Sequence, residues 1–250
     1  MGDSVRLFSI RSDEYAQFRP KYPESLFDWL TEQCRNTQCA LDIAAGNGQA
    51  TRPLSTRFSR VVACDASPDQ LTGHSNWRPV QRFAAQAEQL PLRDGVADLV
   101  VVAQALHWFA TPRFFAEAKR VLASDGFFCA WCYGLLRIEP ELDAVIAQLH
   151  GKTLSGYWPQ GRASVDGGYR DIQATFDTIE SPSFAIETQW NLHQLLGYLR
   201  TWSAVKHWQE VHRTDPVAFW EPELKRLWGE QERLRNIRWP LHFIAGYPGR

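Results

Sequence analysis

Cys39-Ala-Leu-Asp-Ile-Ala-Ala-Gly-Asn-Gly-Gln-Ala-Thr51 is a short apolar run that ends in an acid and then breaks into a glycine loop. The pattern marks a buried parallel strand handing over to a helix at the carboxyl edge of an α/β sheet, where open sheets of this kind hold their ligands. Charge narrows the ligand. A pyrophosphate on a helix N-terminus needs bare backbone N–H groups and no anion beside them, yet Asp42 stands at the strand end. Asp42 therefore suits a cationic group. The dinucleotide fingerprint G-x-G-x-x-G would also need a third small residue where Thr51 stands, which disfavours a nicotinamide oxidoreductase. A second run, Val61-Val62-Ala63-Cys64, ends in Asp65, close to the roughly 20-residue spacing expected of a ribose-binding carboxylate. Two acids on adjacent strand ends point to a nucleoside with a positive charge.

The segment Asp42-Ile43-Ala44-Ala45-Gly46-Asn47-Gly48 resembles the first motif, D-x-G-x-G-x-G, of the class I S-adenosylmethionine-dependent methyltransferases. The resemblance implies an α/β, Rossmann-like fold with a seven-stranded, mostly parallel sheet, helices on both faces and an antiparallel C-terminal hairpin. It implies S-adenosylmethionine as cofactor and S-adenosylhomocysteine as product. Ala44 stands where the family has its first glycine, so the strand end is expected to keep a conformation open to ordinary L-residues.

The composition bounds the reading. A chain of 250 residues, 44% hydrophobic, is enough for one sizeable α/β core, so residues 1–250 are expected to form a single domain. By the resemblance it divides into an arm or lid (1–22), a cofactor-binding core (23–133), an acceptor-pocket insertion (134–182), which by its residues alone could equally be a packed surface loop, and C-terminal strands and helix (183–250). Lys plus Arg number 27 against 28 Asp plus Glu, which gives no global attraction to nucleic acid or an anionic membrane. Apolar runs shorter than a bilayer span and the lack of a hydrophobic signal core make a soluble, cytoplasmic protein the expectation. Five cysteines, three in expected strands, favour reduced thiols over a disulfide framework. Cys129 and Cys132 have C-x-x-C spacing but lie on a strand, where residues three apart face opposite ways. His207 and His212, five apart, miss the spacing of a helical zinc pair, so no metal is expected.

Along the chain, Tyr15-Ala-Gln-Phe-Arg19-Pro20 reads either as a surface arm or, by the resemblance, as a segment folded over the cofactor, with Tyr15 on its methionine part and Arg19 on its carboxylate. Pro23 can open a helix that buries Leu26, Phe27 and Leu30. Ser67-Pro68-Asp69-Gln70 reads as a capping box beside Asp65, so Asp65 is either a helix-terminus acid or the ribose ligand, and the latter is preferred. Ala66 and Leu71 then become adenine contacts. A third strand near Val80 to Ala85 leads into Gln86-Ala87-Glu88, where relatives carry an acid for the adenine amino group; the Gln86 amide oxygen can still accept. Ala97 to Ala103 is an unbroken apolar and β-branched run around Asp98, a central strand buried on both faces, and Ala103 and Gln104 at its end complete the expected cofactor set with Gly46 and Gly48.

The loop His107-Trp108-Phe109 should face the reacting methyl group. Its triplet resembles the trans-aconitate methyltransferase branch, and it lacks the Asn-Pro-Pro-Tyr type of tetrapeptide that relatives use on amino groups. The expected acceptor is thus a small molecule, methylated on a carboxylate or other oxygen and held by His107, Trp108, Tyr157, Trp158 and Arg162. His107 is the candidate catalytic residue, although a purely packed histidine is equally compatible. Were it the base for a hydroxyl acceptor, rates would rise through about pH 6.5. The rival class is a non-catalytic protein that keeps the fold to bind S-adenosylmethionine or a partner. Phe184, Ile186 and Trp190 mark a late strand, Leu195 to Trp208 one helix, and Leu241 to Ala245 a closing strand begun by Pro240.

Overall fold

The computed structural model describes residues 20–72 and 80–249. Tyr15 and Arg19 lie outside that range. Five parallel strands come first: β1 (Cys39–Ile43), β2 (Arg60–Asp65), β3 (Gln81–Ala84), β4 (Ala97–Ala103) and β5 (Leu122–Tyr133). Three antiparallel strands follow, β6 (Asp177–Thr178), β7 (Ala185–Trp190) and β8 (Arg235–Tyr247). The sheet runs β3-β2-β1-β4-β5-β8-β6, with β7 pairing β8 off that path. The expected seven strands are therefore joined by an eighth, the two-residue β6. The sheet order reverses between β1 and β4, so a crevice opens at their carboxyl ends.

Between the strands lie α1 (Glu24–Glu32), α2 (Thr51–Leu54), α3 (Pro68–Thr72) and α4 (Pro112–Val121). After β5 come α5 (Pro140–Gln148) and α6 (Arg162–Asp166), and after β7 come α7 (Leu192–Arg200), α8 (Ser203–His212) and α9 (Pro216–Trp228). α4 begins as its sequence predicts: Pro112 is the first helical residue and the Thr111 hydroxyl accepts the Phe114 N–H. The periodic stretch Leu195 to Trp208 is two helices instead of one. α7 closes at Thr201 and α8 opens after an extended Trp202, so the apolar spacing continues across a break that periodicity alone cannot register.

β4 shows why the sheet is covered on both faces. Leu99 and Val101 join Leu26, Phe27, Trp131 and Trp239 in one core, whereas Val100 and Val102 join Phe114, Phe115 and Phe128 in the other. Each such side chain, fully buried, contributes about 1.5–3 kcal/mol. Cys129 belongs to the first core and Cys132 to the second, so the C-x-x-C pair points to opposite faces, and both are free thiols. Pro240 does not begin a strand. It sits inside β8, opposite Ala185, where pairing passes from β7 to β5. Leu241 N donates to Phe184 O, so the proline nitrogen faces away from β7 and its missing N–H costs that ladder nothing. β5 starts at Leu122, which already pairs Ala97 before a register shift. Among the described residues no helix is long and apolar enough to cross a membrane.

The edge opposite the crevice fixes the height of β1. Asp98 Oδ2, at the start of β4, accepts the backbone N–H groups of Gln38 and Cys39, both at 2.8 Å. Removing that carboxylate in Asp98→Ala deletes two hydrogen bonds to a charged acceptor, each worth about 1.5–3 kcal/mol where not replaced by water. Half-exposure permits partial replacement, so a loss of about 2 kcal/mol in urea unfolding is expected.

Candidate functional site

At the carboxyl end of β1 the chain passes through three constraints in quick succession. Asp42 is 0% exposed; its Oδ2 accepts the Thr51 hydroxyl at 2.5 Å, while its Oδ1 is buried without a hydrogen-bond partner. Burial, with a smaller push from Asp65, raises the Asp42 carboxyl from 3.8 to about 7 against the opposing Thr51 bond. An orphaned buried carboxylate oxygen is the group that a cationic ligand would satisfy. Ala44 follows with φ +57°, which corrects the expectation drawn from its side chain. The turn needs the left-handed region whichever residue stands there, and alanine adopts it at a cost of about 1–2 kcal/mol. Gly46, φ +53°, then turns its N–H to Asp65 Oδ2 at 2.9 Å.

Asp65 ends β2 and clamps this loop. Its other oxygen accepts Ser67 N at 2.9 Å, so one carboxylate holds both the glycine loop and the entry to α3. Burial raises its pKa, and the backbone donors oppose that rise. Both readings of Asp65 therefore retain support, because each carboxylate oxygen keeps a second lone pair for a ligand hydroxyl. Ala66 is exposed and Leu71 buried beside it, while after β3 Gln86 is exposed, Ala87 buried and Glu88 half-buried. That loop is fixed from behind by α4: Glu117 accepts Leu90 N at 2.6 Å and Arg120 donates to Leu90 O and Leu92 O.

The end of β4 carries the same kind of strain as β1. Ala103 is half-buried and Gln104 has φ +58°. The Gln104 side-chain amide grips the Tyr133 backbone on β5 in both directions, Nε2 to Tyr133 O at 2.9 Å and Tyr133 N to Oε1 at 2.8 Å. Its amide is thus committed to the protein, which leaves its backbone and the stem for a ligand. Beyond it, His107 shares a 3.3 Å hydrogen bond between Nδ1 and the Tyr169 hydroxyl and packs against Trp108. Gly161 seats the insertion on this turn; a Cβ there would stand 3.0 Å from His107 O, and its φ is +89°. Burial, and then the nearby Arg162 charge, lower His107 to about 4. It is a neutral imidazole at physiological pH.

A small recess lies beside these strand ends. Its floor is Gln104, Tyr133 and Gly134, and its walls include Trp158 and Arg162 from the insertion with Tyr198, Trp202 and Ser203 from α7 and α8. The Arg162 guanidinium lies over the Trp158 ring, 4.4 Å from its centre. Asp166 Oδ1 accepts from both Nε and Nη2 of Arg162, at 2.9 and 2.8 Å. His150 stacks on Trp158 at 4.5 Å and stands 3.5 Å from Asp166 Oδ2; burial and Arg162 hold it neutral, near 4. Of the residues expected to hold the acceptor, Trp158 and Arg162 line the recess. Tyr157 faces the other way, its hydroxyl 2.5 Å from His212 Nε2 and its ring on Trp208. Sequence reasoning missed His150, Asp166, Tyr169 and Thr51 as partners: Tyr169 meets His107 from 62 residues away, whereas Asp166 stands one helical turn from Arg162 and Thr51 nine residues from Asp42, at the third glycine position, where local spacing carried a signal.

A family model described as a methyltransferase domain matches residues 41–130. A protein of Dictyostelium discoideum named as a methyltransferase is 32% identical over 248 residues, covering 95% of this chain and 93% of that protein. A malonyl-[acyl-carrier protein] O-methyltransferase of Geobacter sulfurreducens is 35% identical over 129 residues, 49% of this chain and 48% of its own. A solved structure from Anaeromyxobacter dehalogenans, described as a type II methyltransferase, has 39% identity and a TM-score of 0.85, and the match covers 92% of this chain and 98% of that one.

The buried acid makes a stability prediction of its own. Asp42 has a folded pKa of about 7 against 3.8 for the free side chain. Below 3.8 it is protonated in both states and costs nothing; between the two values only the unfolded chain ionises, so stability falls as pH rises; above 7 the cost is constant. Asp42→Asn should therefore melt at a higher temperature than the parent at pH 8 and lose the advantage at pH 4, in paired thermal-unfolding curves.

Proposed function

The chain belongs to the class I S-adenosylmethionine-dependent methyltransferases, and from that premise we propose that it methylates a small molecule on oxygen, at a carboxylate. The observation that carries this reading is Arg162, a guanidinium in a tryptophan-lined recess at the ends of β4 and β5. Arginine is the side chain suited to planar recognition of a carboxylate. The Geobacter relative, named as an O-methyltransferase, supports the acceptor atom. So does the likeness of His107-Trp108-Phe109 to the trans-aconitate branch.

The bound cofactor supplies a methyl group on a positively charged sulfur. In this reading Asp42 Oδ1 meets the ammonium of its methionine part, which explains a buried carboxylate left with one partner. Asp65 takes the ribose hydroxyls, Ala66 and Leu71 line the adenine, and Gln86, Ala87 and Glu88 meet its edge. Gly46, Gly48, Ala44, Ala103 and Gln104 offer backbone at close approach. The acceptor carboxylate uses its own lone pair for the new O–C bond, and the sulfur keeps the S–C pair, so no proton has to leave. The residues serve catalysis by placement and by exclusion of water, effects worth roughly 7–11 kcal/mol when the reacting groups are held in line.

His107 fits a binding and packing role here. With its pKa at about 4 it is too weak a base for a hydroxyl, and the rise through pH 6.5 expected of an unperturbed histidine is replaced by one that overlaps an acid's own titration. The variant separates the models where the pH profile cannot. Incubation with labelled S-adenosylmethionine and pooled carboxylic acids should yield label that alkali releases as methanol, the mark of a methyl ester. His107→Gln should keep that rate within about tenfold, against the 10² to 10⁴ loss of a missing base. Label stable to alkali, together with collapse in the variant, would place the methyl group on a hydroxyl.

A further inference from the structure

We propose that Tyr169 is a positioning residue for His107: its hydroxyl donates to Nδ1, which fixes the imidazole proton on Nε2, at the open edge of the ring. The contact spans 3.3 Å and joins the turn after β4 to the residue that follows the glycine pair after α6. The direction of the hydrogen bond follows from the partners available. Tyr169 is 1% exposed, so its hydroxyl has to be satisfied within the protein. The oxygen faces the backbone N–H groups of His107 and Leu106, which draw on its lone pairs. Among the described residues, His107 Nδ1 is the one acceptor in reach of the hydroxyl proton. Nδ1 therefore accepts, and a neutral imidazole that accepts at one nitrogen carries its proton on the other. Burial also pushes the Tyr169 hydroxyl above its usual range, so it keeps its proton to donate.

The backbone around Tyr169 is shaped to deliver that hydroxyl. Its φ is +63°, a left-handed conformation that a bulky side chain adopts only where the surroundings impose it. Tyr169 N donates to Ser164 O at 2.8 Å and Tyr169 O accepts from Ile172 N at 3.1 Å, so the residue is tied on both sides. The histidine is held as closely. Its ring packs on Trp108 at 4.7 Å, and a Cβ on Gly161 would stand 3.1 Å from Cδ2. The Cδ2–Nε2 edge thus lies beside the turn that carries Arg162, whose charge reaches the imidazole. Nε2 has no hydrogen-bond partner among the described residues and is not sealed from solvent. On the carboxylate reading above, on which its part in the reaction rests, Nε2–H meets the acceptor oxygen that does not attack the methyl group. A ring in this state offers no lone pair at its open edge, so it donates there and cannot take a proton from a hydroxyl.

Nitrogen-15 NMR of protein labelled in its histidine rings and carrying S-adenosylhomocysteine tests the assignment, with His107 identified by the signals lost in His107→Gln. Near neutral pH the ring is expected to show Nε2 protonated and Nδ1 unprotonated and hydrogen-bonded. Tyr169→Phe should move the Nδ1 resonance to that of a lone pair without a donor, with unchanged S-adenosylhomocysteine affinity as the control for folding. In the labelled-methyl assay with pooled carboxylic acids, Tyr169→Phe is expected to slow ester formation about threefold, the scale of one neutral hydrogen bond. In the His107→Gln background the same change should cost nothing further, because Tyr169 acts through the histidine. A protonated Nδ1 in the parent protein would overturn the proposal, and that result is read without any Tyr169 variant. So would a ring spectrum unchanged by Tyr169→Phe, or a loss of rate that adds in full to that of His107→Gln. If no acid accepts label while the spectra behave as expected, the carboxylate reading falls and the hold of Tyr169 on the His107 tautomer stands.

Discussion

The carboxylate of Asp42 is sealed at the end of the central strand with one hydroxyl for company, and the arrangement around it is costly in the absence of a ligand. Ala44 and Gln104, at the ends of the two strands that flank the reversal of sheet order, both adopt positive φ. Together they cost about 2–4 kcal/mol, a sizeable share of the roughly 5–15 kcal/mol by which a domain is stable. Such strain persists only where the surroundings over-determine it. Here β1 and β4 are parallel neighbours buried on both faces, and Gln104 is locked to Tyr133 by two hydrogen bonds. The strand ends that form the crevice are thus held by the protein itself.

The same hydrogen bonds link the two halves of the site. In the proposed reading Gln104 is the last residue of the cofactor side and the floor of the acceptor recess, and its hold on β5 keeps the two in register. The walls opposite come from far along the chain, from the insertion and from α7 and α8. The recess is therefore a product of tertiary packing, whereas the crevice is a product of local strand-to-loop geometry.

That division explains what could be read from the residues. The five parallel strands, the acids that end β1 and β2, the Pro112 helix start and the facing of Cys129 and Cys132 follow from period, turn chemistry and strand alternation, all of them short-range. At Ala44 side-chain preference predicts the wrong φ, because the turn itself dictates it. The place of Pro240 within β8 is not legible in the sequence, because its tolerance depends on which neighbour β8 is pairing at that residue. Trp158 and Arg162 are expected in the acceptor wall by the resemblance, from an aromatic insertion after β5; Asp166 stands one helical turn from Arg162, while His150 shows no pattern until the insertion folds. Tyr157, the neighbour of Trp158 in sequence, turns to α8 instead.

In the proposed reading Asp42 is the counter-charge to an ammonium. Carbon-13 NMR of the protein labelled at aspartate carboxyls, with Asp42 assigned by its absence in the Asn variant, follows that group directly. In the free protein its carboxyl should titrate near 7, as its burial requires. With S-adenosylhomocysteine bound it should remain ionised down to a pH well below that value, because a buried opposite charge favours the carboxylate. An Asp42 signal that titrates at the same pH with and without the nucleoside would contradict the assignment.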